Sequence, residues 1–373
     1  MSALDRSSAS DRSKLVESQP AATDPVSQAC RDGAPYDAVL ILSFGGPEGP
    51  DDVIPFLENV LRGKPVPRER LLEVAEHYQH FGGVSPINAQ NRALIAALES
   101  ELAAHGPRLP IYWGNRNWHP LLPDTLAAMA RDGVRRAIAY FTSAYSSYSG
   151  CRQYRENIAA AQQAVGPTAP AVDKLRAFYN HPGFIEPLAE CVSEALAKIP
   201  AERRAAAALV YTAHSIPIGM SDNCRYVAQL EETARLVTAA LGRDRWSLVY
   251  QSRSGSPSQP WLEPDVNDYL TELAAQDATR DVVVAPIGFL SDHMEVLFDL
   301  DTEAQANAAK LGLNMLRAAT VGHHPKFVRM IRDLIAERVT QSPDRPALGS
   351  EGPSHDVCPA NCCLPGMRPP TRV

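Results

Sequence analysis

A chain of 373 residues with a formal net charge of −7, carrying 36 Lys and Arg against 43 Asp and Glu, lacks the basic excess that nucleic-acid binding usually leaves. No nucleic-acid partner is therefore expected, and an anionic ligand would have to be held by local groups. Long apolar runs are missing as well, since no stretch approaches the roughly 18 to 20 residues of a membrane span. The opening "MSALDRSSASDRSKLVESQPAATDPVSQAC" has no apolar segment of the signal-peptide kind, so residues 1–35 read as a polar, disordered tail. A soluble, cytoplasmic protein with no transmembrane segment is the expectation. Cysteines are few and odd in number, seven in all, which argues against a disulfide framework. No sequence repeat is visible. The first glycine-rich turn, "SFGGPEGP", lacks the third spaced glycine of a dinucleotide-binding fingerprint.

What is present is an alternation of short aliphatic runs with longer amphipathic stretches, the pattern of parallel sheets with crossover helices. Strands are predicted at 37–44, 110–114, 136–142 and 174–179, and a second series at 207–215, 246–252, 281–289 and 314–320. Between them "NAQNRALIAALESELAA", "GFIEPLAECVSEALAKI" and "YVAQLEETARLVTAAL" repeat apolar residues at three and four, as helices do. The reading is an α/β fold of two similar Rossmann-like lobes, each a four-stranded parallel sheet with flanking helices. Residues 36–185 form the N-terminal lobe and 186–340 the C-terminal lobe. Residues 341–373, rich in Pro, Gly and Ser, form an extension.

Open parallel sheets bind ligands beyond the carboxyl ends of their strands, so the residues after each strand matter most. One strand ends in "TAHSIP" with His214, and another runs into "SDHMEVLFDLDTEA", where Glu295, Asp299 and Glu303 recur every fourth residue. That spacing predicts three carboxylates stacked on one helical face, either a solvated surface or a path for a cation. His214 is open to two readings, a core histidine or a ligand. Facing Glu295, its imidazole would complete a nitrogen-and-oxygen site suited to a borderline metal such as ferrous iron, and could accept protons near neutral pH. No third histidine or thiolate stands close by in sequence, so a closed zinc site is not expected. In the tail, Cys358, Cys362 and Cys363 crowd "HDVCPANCC". Three thiolates are one short of an iron–sulfur cluster, and an iron–sulfur site, another metal and no metal at all are open readings.

Five segments together, "SFGGPEGP", "GGVSPINAQ", "YTAHSIP", "YQSRSG" and "PIGFLSDHMEVLFDLDTEA", resemble the motifs of the ferrochelatases, in order from about residue 36 to 335. The resemblance implies the chelatase fold, with a porphyrin held in the cleft between lobes and Fe2+ inserted with release of two protons, in haem biosynthesis. It implies His214 and Glu295 as catalytic and iron-contacting residues facing each other across the macrocycle, with Asp299 and Glu303 as a metal or proton relay. By motif position it gives Phe44, Arg62, Tyr78, Ser85, Arg116 and Tyr154 as porphyrin-binding residues and 53–67 as a lip over the cleft. Phe44 stands where some bacterial relatives have tyrosine, and His77 where close relatives carry arginine. Asn117 and His119 are read either as cleft-lining or as turn-stabilising residues. Cys151 matches the mid-chain ligand of those ferrochelatases that carry a 2Fe-2S cluster, which with Cys358, Cys362 and Cys363 makes four ligands. The cysteine tail, the "SFGGPEGP" turn and the Ala- and Arg-rich composition look like the actinobacterial branch, whose substrate is expected to be coproporphyrin III and product coprohaem. Protoporphyrin IX is the alternative substrate, and a non-catalytic metal- or haem-binding protein is a third reading. A transient contact with the next haem-pathway enzyme fits the same expectation.

Overall fold

The computed structural model describes residues 35–63, 66–255, 258–276 and 279–366. The tail expected at the N-terminus, Cys30 and part of the lip at 64–65 lie outside those residues. Two four-stranded parallel sheets form the frame. In the first, β1 (Ala38–Ser43), β2 (Ile111–Asn115), β3 (Arg136–Phe141) and β4 (Ala171–Lys174) are ordered β2-β1-β3-β4. In the second, β5 (Ala208–His214), β6 (Ser247–Gln251), β7 (Asp281–Ala285) and β8 (Asn314–Arg317) repeat that order as β6-β5-β7-β8. The register is parallel throughout, with Leu42 opposite Gly114 and Phe141 in one sheet and Ala213 opposite Tyr250 in the other.

Single turns aside, the helices are α1 (Val53–Val60), α2 (Arg68–His80), α3 (Ile87–His105), α4 (Leu122–Arg131), α5 (Gln153–Val165), α6 (Pro182–Ala197), α7 (Tyr226–Ala240) and α8 (Val266–Ala275). After them come α9, a composite over 294–310, and α10 (Pro325–Thr340). Sheets covered on both faces read as continuous apolar runs, and every residue of "AVLILS" in β1 is buried. The two faces nonetheless serve different cores. Val39, Ile41, Ile138 and Tyr140 share one central core with Leu209, Tyr211, Ala213, Val283 and Ala285 of the second sheet. Leu40, Leu42 and Ala139 pack outward under α4 and α5, whereas Val210, Val282 and Val284 pack outward under α8 and α9. Helix α10 packs against both α3 and α6, so the last helix of the second half of the chain also covers the first.

β4 departs from its expectation. The strand is Ala171–Lys174, not 174–179, because a buried Asp173 interrupts the apolar pattern where the pairing occurs. Asp173 is paired at 2.7 Å with the equally buried Arg136. Beyond it, Arg176 turns away from the sheet and spreads its guanidinium over Glu337 and the carbonyl of Pro346. At the start of α6, burial and the nearby Arg176 push the His181 imidazole down to about 4. The ring is thus neutral, and its Nδ1 accepts the orphan N–H of Gly183 as a helix cap. The tail is strapped across both halves. Leu348 bonds Asn180 through its backbone, and Glu351 takes both Arg225 and the hydroxyl of Tyr179.

Candidate active site

The carboxyl ends of both sheets open into one cavity of about 420 Å³. β5 delivers His214 to its wall. The imidazole Nδ1 lies 2.5 Å from the carbonyl of Ser215, and a carbonyl can only accept, so Nδ1 donates and Nε2 is the ring nitrogen turned toward Glu295. Tyr226 donates from its hydroxyl to the His214 carbonyl at 3.1 Å, fixing the strand end. The loop after β7 crosses directly over this point at Gly288, where a Cβ would lie 2.6 Å from the Cα of Ala213. Only glycine permits that approach.

That loop leads into α9, whose middle is not an α-helix. It opens with one α turn, Met294–Val296, runs as a π-helix over Leu297–Ala304 and closes as α over Gln305–Lys310. The i→i+5 bonding widens the turn and is found often at functional sites. His214 Nε2 and Glu295 Oε1 are 3.8 Å apart, and His293 Nδ1 is 3.8 Å from the other Glu295 oxygen. A macrocycle cannot lie between His214 and Glu295, because two contacts of about 3.5 Å each would need roughly 7 Å. In this arrangement the two side chains stand next to each other on the cavity wall and not across a gap from one another. Asp299 stands behind, half-buried, accepting from the Ser252 hydroxyl and, at 3.3 Å, from Gln251. Burial, then the charges of Glu295 and Glu303, lift its carboxyl to about 7 against the pull of the Ser252 bond. Glu303 is exposed one step further out. The carboxylates thus run from the cavity wall to solvent, with the middle one poised between its charged and neutral forms.

From the first half of the chain the wall receives Phe44, Tyr78, Ser85, Arg116, Asn117 and Tyr154. Arg116 lies over the rings of Tyr154 and Phe44, 4.8 and 5.5 Å from their centroids, and donates to Asn157 at 2.8 Å. Ser85 is buried, and Gly46 in the "SFGGPEGP" turn sits so close that a Cβ there would reach 2.7 Å from the Ser85 Cβ. Helix α2 brings Tyr78 near Glu295, and burial together with that charge pushes the phenol well up from its ordinary value. His77 stacks on Phe298 of the π-helix, centroids 3.9 Å apart, so helix α2 and the acidic helix touch. Arg62 is exposed and directed onto Asn59, away from the cavity wall. His119 turns its carbonyl to Asn88 and Asn115. His293 was not singled out in the sequence. It lines the cavity, and burial lowers its basicity against the opposing charge of Glu295. Its position two residues before Glu295 was the available signal.

A second side-chain cluster lies behind the wall at 147–154. Cys151, in the π turn Tyr148–Arg152, meets Cys358 of the tail, and Cys362 and Cys363 bring their Sγ atoms within 3.4 Å of each other. His355, Cys358 and Cys362 offer donor atoms within 4.8 Å of one another and could hold a metal. The thiols share protons unequally. The Cys358 thiol is held far below its ordinary value by bonds from Cys151 and Cys362 and by the half-buried Lys174, while that of Cys151 is pushed up. Arg155 is buried beside the same group and donates to the Cys362 carbonyl.

The ferrochelatase family model matches residues 36–339, almost the whole described chain. The chain belongs to the ferrochelatase family. It is 59% identical over 336 residues to a ferrochelatase of Rhodopirellula baltica, covering 90% of this chain and 95% of that one. It is 55% identical over 355 residues to a protein of Streptomyces griseus named coproporphyrin III ferrochelatase, with 89% and 94% covered. SirB from Bacillus subtilis, solved with Fe3+, shares the fold at a TM-score of 0.50 and 15% identity, over 84% of this chain and 99% of that one. Membership of the family makes the chain a metal chelatase, and among the described residues no helix is long and apolar enough to cross a membrane.

Proposed function

We propose that this ferrochelatase inserts Fe2+ into coproporphyrin III, releasing two protons and yielding coprohaem. The name printed for the Streptomyces griseus relative and the high identity to it support that substrate. The observation that carries the mechanism is the position of His214 Nε2, 3.8 Å from Glu295 at the head of a carboxylate line that reaches solvent. His214 Nε2 takes a pyrrole proton, so the N–H bond breaks and its electron pair is left on the pyrrole nitrogen for the incoming iron. The second pyrrole proton leaves by the same route once the first has passed on. Glu295 contacts the iron and receives charge from His214, and Asp299 and Glu303 carry it outward. Because both groups address one face, proton removal and metal approach share that face, and Phe44, Tyr78, Ser85, Arg116 and Tyr154 grip the ring. Arg116 is the charged donor available to a propionate. The direction taken by Arg62 gives it no such contact in this arrangement.

The donor set of the tail fits a 2Fe-2S cluster, which takes four thiolates. Cys151, Cys358, Cys362 and Cys363 would hold it, and the half-buried Lys174 and buried Arg155 supply two cations beside them. When bound, the cluster supplies a cross-link between the tail and the strand-end turn at 148–152. Cytoplasmic placement, and a passing contact with the next haem-pathway enzyme to hand over product, complete the reading.

The test is anaerobic ferrous insertion, followed by loss of porphyrin fluorescence, with the parent chain and His214→Ala. The substitution is expected to abolish insertion while circular dichroism remains that of the parent, and retained turnover would sink the assignment.

A further inference from the structure

The tail site contains one donor more than a 2Fe-2S cluster uses, and that donor is an imidazole. Each iron of such a cluster takes two of the four thiolates, its remaining positions being filled by sulfide. A third protein donor within reach of two thiolates has no place in that arrangement. Yet the ligand atoms of His355, Cys358 and Cys362 lie within 4.8 Å of one another. Three donors inside that limit can gather about one ion, for which Zn–S bonds of about 2.3 Å and Zn–N bonds of about 2.0 Å set donors about 3.5 to 3.8 Å apart. A further thiol is at hand, the Cys363 Sγ being 3.4 Å from that of Cys362.

We propose that the tail also forms a mononuclear site for a divalent ion of the zinc class, in which His355, Cys358 and Cys362 are ligands and Cys363 closes the fourth corner. The site is half open. Cys358 and Cys363 are buried, Cys362 is partly so, and His355 stands exposed at the mouth, where an arriving ion meets it first. The backbone holds the donors in place. Arg152 donates to the carbonyls of Ala360 and Cys362, at 2.6 and 3.2 Å, and so pins the turn that carries two of the thiolates. Charge favours a cation as well. Half-buried Lys174 and buried Arg155 lie beside the thiols, and a divalent ion with three thiolates and a neutral imidazole leaves a net −1 for those two cations to balance. The inference does not rest on the insertion reaction. It makes the tail a place where one ion of the zinc class competes with a cluster for shared thiolates.

The test is an anaerobic titration of the full chain with Co2+, a spectroscopic stand-in for Zn2+, followed by displacement with Zn2+. One equivalent is expected to give the visible ligand-field bands of tetrahedral cobalt with a thiolate-to-metal charge-transfer band. His355→Ala should weaken binding about tenfold or more and alter the bands as water replaces nitrogen. Its iron and sulfide content after cluster reconstitution should match that of the parent. Cys358→Ser should lose both occupants, and Cys151→Ser only the cluster. Absence of tetrahedral bands in the parent, or an unchanged affinity and spectrum in His355→Ala, would overturn the proposal. So would loss of reconstituted cluster in His355→Ala, which would assign the imidazole to the cluster. A cluster retained by Cys151→Ser would instead count against the four-cysteine reading and leave the cobalt result standing by itself.

Discussion

Replacing Asp299 by Asn removes a carboxylate of the acidic line whose charge changes near neutral pH. With its carboxyl lifted to about 7, Asp299 is roughly 10% ionised at pH 6 and roughly 90% at pH 8. Only the ionised form can take a proton arriving from Glu295. If that transfer limits insertion, the rate should rise nearly tenfold between pH 6 and pH 8 and level off above. Asparagine keeps the size of the side chain and can still meet Ser252 and Gln251, but it cannot ionise, so Asp299→Asn should be slow at every pH and flat across that window. The assay is single-turnover insertion under anaerobic conditions, with the porphyrin pre-bound so that binding does not contribute. An inflection near pH 7 that survives in Asp299→Asn would refute the relay through this residue. The same group bears on stability with a fixed sign. Its folded value lies above the ordinary 3.8, so the folded state binds the extra proton between about 4 and 7 and loses stability as pH rises through that window. Asp299→Asn should relieve that loss, giving a melting temperature that changes less between pH 5 and pH 8.

Two further predictions concern the frame. Asp173→Ala leaves the Arg136 guanidinium buried without its 2.7 Å partner and should cost about 3 to 5 kcal/mol in a denaturant titration, whereas an exposed pair such as Arg70 with Glu73 should cost under about 1 kcal/mol. Gly288→Val drives a branched side chain against Ala213, one residue before His214, and should lower the insertion rate at least tenfold. A porphyrin affinity in Gly288→Val equal to that of the parent would locate the damage at the reacting groups and not in the cleft as a whole.

Most of the architecture was legible because buried parallel strands declare themselves as unbroken aliphatic runs, and seven of the eight lie within about two residues of expectation at their starts. The exception, β4, hides its pairing behind Asp173, a charge that only its contact with Arg136 makes compatible with a strand. At the site, the order of motifs led to His214 and Glu295, and the four-residue recurrence to Asp299 and Glu303. The π-helical winding over Leu297–Ala304 has no comparable signature, since i→i+5 bonding changes the turn without changing which residue types suit it. Side-chain direction was equally out of reach. Arg62 turns to Asn59, and His214 and Glu295 stand 3.8 Å apart, side by side on the cavity wall. His355 stands in the same short segment as the cysteines. Its part in the tail cluster emerges only when the chain folds back and sets it beside Cys358 and Cys362.

Coprohaem is the expected product of this ferrochelatase. The most direct test offers coproporphyrin III and protoporphyrin IX in parallel to the purified chain with Fe2+ under anaerobic conditions, each followed by loss of porphyrin fluorescence. Faster turnover of coproporphyrin III is the predicted result. A preference for protoporphyrin IX would contradict the substrate while keeping the chelatase, and insertion into neither would contradict the account as a whole.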